Sequence, residues 1–377
     1  MFFPVILFIL AHLFQLYIKF INKVRTIGFF EYFLLKTVKK SDKIKYIDEK
    51  QVHFMKFGII FGIVGGVIAF LAIAVLVISY ICFRLAFYSK RKQNEIKGDE
   101  VILPEGEIYE AFRDDIVNWT LQMRALPHTD VEITSFDGLK LRGKYFEYKK
   151  GAPIEILMHG YRGNSERDLS GGIFRCFALG RNVLLFDHRG SGRSEGNVIT
   201  FGINESRDCR DWVDYVLRNI DKDATIFIGG VSMGASTALM VTARDLPDNV
   251  VGILADCGYS SIERIMKKVI REMKLPPNLC YPFIKLGARI YGHFDIEELS
   301  PEEVMKSCHL PVIFLHGDGD DFVPFEMSVE NYNACASKHK KLVNIEGAGH
   351  GLAFPAAQER YIKEVGDFFD EALGKKA

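Results

Sequence analysis

The feature that most constrains the fold is the sequence Gly-Val-Ser-Met-Gly at residues 230–234, because it lies between two regular elements. The apolar, β-branched residues 224–228 before it are typical of a buried strand, and residues 235–240 after it favour a helix. A serine on so sharp a strand-to-helix turn takes strained backbone angles, and the flanking glycines leave room for them. The pattern therefore predicts that the hydroxyl of Ser232 is presented at the end of a strand.

Further apolar runs alternate with segments of helix length. The predicted strands are residues 154–158, 182–186, 224–228, 250–255, 311–315 and 341–345. Most are continuous apolar runs, as expected of strands buried on both faces of a parallel sheet. Ahead of them, residues 131–143 alternate apolar and polar side chains around an Asp-Gly pair, which predicts an antiparallel hairpin. We therefore predict an α/β fold with a doubly wound, mostly parallel sheet that begins with a hairpin.

A serine hydroxyl is a weak nucleophile unless a neighbouring base takes its proton. His350 is the candidate base for Ser232, since it lies in a glycine-rich loop after the last predicted strand. The acid that orients this histidine should follow the preceding strand, where three aspartates occur within residues 318–321. We predict that Asp320 has this role and keep Asp321 as the alternative.

Asp256, at the end of another strand, is a weaker candidate acid, and we interpret it as a hydrogen-bonding support for the loop at residues 257–260. The oxyanion that forms during attack on a carbonyl group requires preorganised N–H donors. The amide of Met233, directly after the nucleophile, is one candidate. The second should come from residues 159–164, the loop after the first parallel strand, where Tyr161 is the predicted donor.

Five motifs follow one another along residues 130–372. They are His-Gly-Tyr-Arg-Gly-Asn at 159–164, Asp-His-Arg-Gly at 187–190, the serine turn, His-Gly at 316–317 with Asp-Asp-Phe-Val-Pro at 320–324, and Gly-Ala-Gly-His at 347–350. Together they resemble the α/β-hydrolase superfamily, most closely the group of bacterial serine aminopeptidases and monoacylglycerol-lipase-like proteins, some of which carry N-terminal membrane anchors. The resemblance implies the α/β-hydrolase fold and a Ser-His-Asp triad, but no particular substrate. We interpret Asp187 and Arg189 of the second motif as an ion pair.

The resemblance also implies a small helical lid between residues 259 and 308. Within it, a predicted helix places Ile262, Ile265, Met266 and Val269 on one face. This apolar stripe either packs on the body of the domain or faces the cleft, where it would favour an acyl chain.

The first ninety residues hold two long apolar segments. Residues 57–83 carry no charged side chain and exceed the roughly 20 residues that span a bilayer, so we predict a transmembrane helix there. Residues 1–22 are predicted to form a second transmembrane or an interfacial helix. The predicted organisation is completed by a basic loop at 23–56, a connector at 84–129 and an α/β-hydrolase domain at 130–377.

The sequence does not decide on which side of the membrane the catalytic domain lies. The lysine-rich loop between the apolar segments favours the cytoplasm by the positive-inside rule, which would place the domain outside. The seven cysteines show no paired spacing and fit a reducing compartment. They also form no metal-binding motif, and we expect neither a metal nor an organic cofactor. The 48 basic residues balance the 48 acidic ones, which argues against nucleic acid as a partner.

The leading hypothesis is a serine hydrolase integral to the cell membrane, acting on ester or thioester bonds through an acyl-enzyme. Its expected partners are a small-molecule or acylated substrate and the lipid bilayer, with no oligomeric state indicated. One alternative keeps the triad but makes the substrate a peptide with a free N-terminus. The other is a non-catalytic membrane scaffold that binds a partner through its lid.

Overall fold

The computed structural model describes residue 19 and residues 49–90, 100–104 and 106–374. The chain divides into two compact units, Met1–Ile81 and Cys82–Ala377. The predicted segment at 1–22, apart from Lys19, lies outside the described residues, as does most of the loop at 23–56.

A single long helix, α1, spans Glu49–Ala86. It begins before the predicted span at 57 and ends after 83, since the flanking residues contain no helix-breaking proline or glycine. Within it, the stretch Phe57–Ala86 is long and apolar enough to cross a membrane. No other helix in the part of the chain that the structure describes meets both criteria.

The second unit is built on one eight-stranded sheet of order β1-β2-β4-β3-β5-β6-β7-β8. The strands are β1 Thr129–Thr134, β2 Lys140–Phe146, β3 Ile154–Met158, β4 Asn182–Phe186, β5 Ile226–Val231, β6 Val250–Asp256, β7 Val312–Gly317 and β8 Lys340–Ile345. The β1–β2 hairpin is antiparallel, β2 pairs antiparallel with β4, and every pair from β4 to β8 is parallel. The predicted fold class is confirmed.

Helices cover both faces of this sheet. They are α2 Arg113–Ala125, α3 Ser165–Ala178, α4 Ile203–Asn219, α5 Met233–Met240, α6 Ile262–Glu272, α7 Pro277–Tyr291, α8 Pro301–Met305, α9 Phe325–Ala334, α10 Ala353–Ala356 and α11 Gln358–Ala372, with short 3₁₀ helices at Glu107–Phe112 and Val241–Ala243. Alternate residues of each central strand point to opposite layers. Ile156 thus packs in the cluster that contains Trp212 of α4, whereas Leu157 packs with Ile173 of α3.

A buried ion cluster fastens the sheet to α3. Glu155 in β3 is fully buried and lies 2.5 Å from Arg175 Nη2 and 2.7 Å from Arg181 Nη1. Burial alone would raise the pKa of Glu155, but the two guanidinium groups outweigh it and lower the pKa to about 2. The carboxylate is therefore ionised and bonded both to α3 and to the residue directly before β4.

The predicted connector is part of the second unit. Its helix α2 buries Ile116, Thr120 and Met123, and Arg124 pairs with Glu166 of α3 at 2.7 Å. The predicted domain boundary at residue 130 consequently falls inside this unit, because the amphipathic face of α2 needs the sheet layer to cover it.

The segment predicted as a lid forms α6, α7 and α8. Helix α6 buries four apolar side chains, Ile262, Ile265, Met266 and Ile270. They belong to the same apolar cluster as Met233 of α5 and Phe87. Of the two alternatives for this stripe, the structure shows packing on the body of the domain.

Candidate active site

Ser232 occupies the turn between β5 and α5 with φ 57° and ψ −119°, a strained conformation for a residue with a side chain. The flanking glycines are required by close backbone approach. A Cβ atom on Gly234 would lie 2.2 Å from the carbonyl oxygen of Met158, and one on Gly230 would lie 2.3 Å from the carbonyl carbon of Gly234. The strand-turn-helix geometry expected for this pentapeptide is therefore present.

The structure brings the three predicted triad side chains together. His350 Nε2 lies 2.8 Å from Ser232 Oγ, and His350 Nδ1 lies 2.6 Å from Asp320 Oδ2. Asp320 follows β7, and His350 lies in the loop after β8, so both side chains reach Ser232 from the carboxyl ends of parallel strands. In this arrangement the serine hydroxyl can donate to Nε2 while Nδ1–H donates to the carboxylate.

Asp320 is held on both oxygens. Its Oδ1 accepts hydrogen bonds from the amides of Phe322 at 2.9 Å and Val323 at 2.8 Å. Burial alone would raise its pKa, but hydrogen bonds from His316 and His350 outweigh burial and hold the pKa of Asp320 well below its usual range. The alternative acid, Asp321, is exposed.

His316 belongs to one of the five sequence motifs, but no local pattern assigns it a role in the site. Its Nε2 lies 3.1 Å from Asp320 Oδ2 and 2.9 Å from the carbonyl oxygen of Val323, and its Nδ1 lies 2.7 Å from Ser328 Oγ. The ring is fully buried at the end of β7. His316 thus fixes the carboxylate that faces His350.

Asp256 does not support the loop at 257–260 as interpreted from the sequence. Its Oδ2 instead accepts a hydrogen bond from Tyr361 of α11 at 2.9 Å. Burial raises the pKa of Asp256 to about 6. The predicted pair of Asp187 and Arg189 is also absent from the described contacts. Arg189 binds Asp208 at 2.6 Å and Asp137 at 2.8 Å, because these carboxylates meet its guanidinium in the fold.

The two predicted oxyanion donors flank the serine. Met233 is the first residue of α5, and Tyr161 follows Gly160, on which a Cβ atom would lie 3.9 Å from Ser232 Oγ. Among the described residues, no acceptor is bonded to the amide of Tyr161 or Met233. The amide of Gly160 is occupied, since it donates to Asp168 Oδ2 at 3.0 Å.

A cavity of about 1070 Å³ opens at Ser232 and His350. Its apolar lining includes Ile108, Ile116, Trp119, Leu157, Leu169, Leu254, Leu352 and Phe354. Residues of the predicted connector therefore form one of its walls, and among the described lining residues none comes from 259–308. Tyr109 fastens this wall to the site, because its hydroxyl donates to the carbonyl oxygen of His350 at 3.0 Å.

One group of potential metal ligands occurs among the residues that the structure describes, namely Cys257, Asp320 and His350, whose donor atoms lie within 4.8 Å of one another. Two of the three donors are already bonded to each other as His350 Nδ1 and Asp320 Oδ2. Burial raises the pKa of the Cys257 thiol well above its ordinary value, and a protonated thiol is a poor ligand. The group fits the triad better than an ion.

Comparison with known families and relatives agrees with this architecture. Residues 156–286 match the family described as "alpha/beta hydrolase fold". The uncharacterized protein YqkD of Bacillus subtilis is 26% identical, and the match covers 80% of this chain and 94% of that protein. The uncharacterized membrane protein YNL320W of Saccharomyces cerevisiae is 25% identical, with 67% of this chain and 83% of that protein covered.

Solved structures show the same fold. The esterase Pf2001 of Pyrococcus furiosus aligns with a TM-score of 0.55 at 23% identity, covering 72% of this chain and 98% of that structure. The match concerns the fold as a whole, and the narrower aminopeptidase and monoacylglycerol-lipase-like group stays a prediction.

Proposed function

We propose that this chain, which belongs to the α/β-hydrolase superfamily, is a membrane-anchored serine hydrolase that cleaves carboxylic ester or thioester bonds. The observation that carries the proposal is the hydrogen-bonded chain from Ser232 Oγ through His350 to Asp320, with distances of 2.8 and 2.6 Å. The three side chains stand in the order, and at the hydrogen-bonding distances, that nucleophilic catalysis by a serine requires.

In the proposed reaction, Ser232 Oγ forms a bond to the carbonyl carbon while His350 Nε2 takes the hydroxyl proton. The carbonyl electron pair moves to oxygen, where the amides of Tyr161 and Met233 stabilise the negative charge. The bond to the leaving alcohol or thiol then breaks as His350 returns the proton to it. Water attacks the acyl-enzyme with His350 again as base, and the acid and free serine are released.

The cavity supports an acylated or otherwise apolar substrate. Its lining beside Ser232 is largely apolar, with Trp119 and Phe354 in ring contact at 5.5 Å and Leu157 in the sheet. Burial of an acyl chain there would contribute about 0.8 kcal/mol for each methylene group. The Pyrococcus furiosus structure of the same fold is named an esterase, which is consistent with this reaction class.

The membrane anchor is part of the proposal. Residues Phe57–Ala86 of α1 satisfy the length and apolarity of a membrane span, and one relative from yeast is named a membrane protein. We infer that α1 holds the hydrolase at the bilayer, where lipid-like substrates are concentrated.

Hydrolysis of matched substrates by the full-length protein tests the proposal. Medium-chain acyl esters, acyl thioesters and aminoacyl amides are compared for the wild type, Ser232→Ala and Ser307→Ala, which is a matched serine in another part of the unit. We expect ester and thioester hydrolysis that is lost in Ser232→Ala and kept in Ser307→Ala. Cleavage of aminoacyl amides in preference to esters would instead favour the peptidase alternative, and activity that survives in Ser232→Ala would contradict the assignment.

A further inference from the structure

The end of α1 packs into the second unit as a short segment, residues 82–89, which we call the helix-end segment. Its Phe87 is fully buried and makes edge-to-face contacts with Phe201 at 5.9 Å and Phe294 at 5.1 Å between ring centroids. Phe83, also buried, contacts Tyr291. Aromatic burial of this kind fixes the position of the segment in the unit.

Backbone hydrogen bonds add to this packing. The amide of Ser89 donates to the carbonyl oxygen of Asn197 at 2.8 Å, and the amide of Ile199 donates to that of Phe87 at 2.8 Å. Tyr88 and Val198 form the corresponding antiparallel bridge. The helix-end segment is therefore paired as a strand would be, rather than hanging from the unit as a flexible linker.

Side chains of the loop that contains Tyr161 donate hydrogen bonds to backbone carbonyl groups of this segment. Tyr161 Oη donates to the carbonyl oxygen of Ala86 at 2.7 Å, and Arg162 Nη2 donates to those of Leu85 at 2.8 Å and Tyr88 at 3.1 Å. The last carbonyl groups of a helix have no partner within the helix, and a cation is favourable at that end. The loop thus caps the C-terminus of α1.

These two residues are also the centre of the turn that presents the predicted oxyanion donor. The turn is closed by a hydrogen bond from the amide of Gly163 to the carbonyl oxygen of Gly160 at 3.2 Å, and Arg162 takes φ 54°. A residue with a side chain holds such a conformation only where its surroundings determine it. Burial raises the pKa of Tyr161 to about 12, so the phenol keeps its proton and remains a donor.

We propose that the helix-end segment is part of the active site, and that the Tyr161 phenol and the Arg162 guanidinium are positioning groups that hold the Tyr161 amide where the oxyanion forms. Asp168 holds the other side of the turn through the amide of Gly160. The proposal rests on the proposed hydrolase function, and it makes the C-terminus of the apolar helix a direct support of catalysis.

Tyr161→Phe in the full-length protein tests this inference, because it removes one hydroxyl and keeps the ring. The matched control is Tyr148→Phe, a half-exposed tyrosine whose hydroxyl has no described hydrogen bond. A displaced amide weakens binding of the transition state but not of the ground state. We expect kcat to fall about tenfold with KM nearly unchanged, and inhibition by an alkylboronic acid, whose tetrahedral adduct needs the same donors, to weaken by the same factor. Arg162→Gln should act in the same direction.

Hydrogen exchange measured by mass spectrometry tests, independently of activity, whether the Tyr161 side chain holds its loop against the helix-end segment. We expect faster exchange in peptides covering residues 159–164 and 85–89 of Tyr161→Phe than in the wild type or Tyr148→Phe. Unchanged exchange in both peptides, or a kcat and boronate affinity equal to those of the wild type, would overturn the inference. A wild type that neither hydrolyses esters nor binds the boronate would overturn the proposed function, and the exchange rates would still decide whether the segment holds the loop.

Discussion

Asp320 and Asp321 show what a difference of one residue makes to a carboxylate. Both lie after β7. Asp320 accepts hydrogen bonds from two backbone amides and contacts two histidines, whereas Asp321 is exposed. The sequence limits the acid to this loop, because the chain order of serine, acid and base is regular in such sheets. It does not show that the amides of Phe322 and Val323 turn inward, and only that turn geometry separates the two aspartates.

Asp320→Asn is expected to lower kcat about 10³- to 10⁴-fold, because the amide group cannot hold His350 in the tautomer that accepts the serine proton. Asp321→Asn is the matched control and should change kcat by no more than about twofold. Steady-state ester hydrolysis measures both. Equal losses in the two variants, or a larger loss in Asp321→Asn, would reassign the acid.

Asp256 leads to a prediction for stability against pH. Its pKa is raised from 3.8 to about 6 by burial, so the folded state holds the proton more tightly than the unfolded state. The free energy of unfolding therefore falls as pH rises from about 4 to about 6, by up to about 3 kcal/mol, and stays lower above that range. Asp256→Asn has no group to ionise at this position, so it avoids the cost of a buried carboxylate above pH 6. It should unfold at a higher temperature than the wild type at pH 8 and at nearly the same temperature at pH 4.

Thermal unfolding of the full-length protein in detergent at these two pH values is the measurement. Exposed Asp370→Asn serves as the control and should shift the midpoint little at either pH. An Asp256→Asn variant that is equally displaced from the wild type at pH 4 and pH 8 would contradict the assigned ionisation.

At the scale of elements, apolar runs predicted the strands closely, since a strand buried on both faces leaves few alternatives. These runs do not predict which segments, distant in sequence, contact one another in the fold. Glu155 lies inside an apolar run, and its partners Arg175 and Arg181 follow 20 and 26 residues later, on α3 and before β4. The cavity wall that includes Ile108, Ile116 and Trp119 was not predicted, for the same reason. The pattern of this stretch indicates an amphipathic helix but not the surface that the helix covers.

Among the ionic contacts between elements, we expect the Glu155 cluster to contribute most to the free energy of unfolding. Glu155→Gln leaves two buried guanidinium groups without an anion, and we expect a loss of about 3–5 kcal/mol in the free energy of unfolding. Glu132→Gln, which breaks an exposed pair with Arg142 in the hairpin, is the matched control and should cost less than about 1 kcal/mol. Denaturant unfolding at pH 7 compares the two, and similar small losses would show that the buried cluster does not fasten β3 to α3.

At the scale of the whole molecule, the chain joins a long apolar helix to a unit with the α/β-hydrolase fold. The apolar run that begins at residue 57 marks the helix in the sequence. It does not show that the last turn of this helix lies in the second unit, where the loop of Tyr161 caps it. That contact depends on chain segments about 75 residues apart, and no local pattern encodes it.

The apolar helix is expected to anchor the protein. Full-length protein should remain in the membrane pellet after an alkaline carbonate wash. Leu71→Arg combined with Val75→Arg should release a large fraction, since each arginine costs about 2.5–3.5 kcal/mol at the centre of a span. Leu121→Arg, on the exposed face of α2, is the control and should stay in the pellet. Equal retention of all three proteins would contradict a spanning α1.

Peptide mapping of the adduct formed with a fluorophosphonate shows whether Ser232 is an activated nucleophile. We expect one covalent phosphonyl group on Ser232 in the wild type, a strongly slowed reaction in His350→Ala, and no adduct in Ser232→Ala. An adduct on another serine, or a folded wild type that does not react, would contradict it.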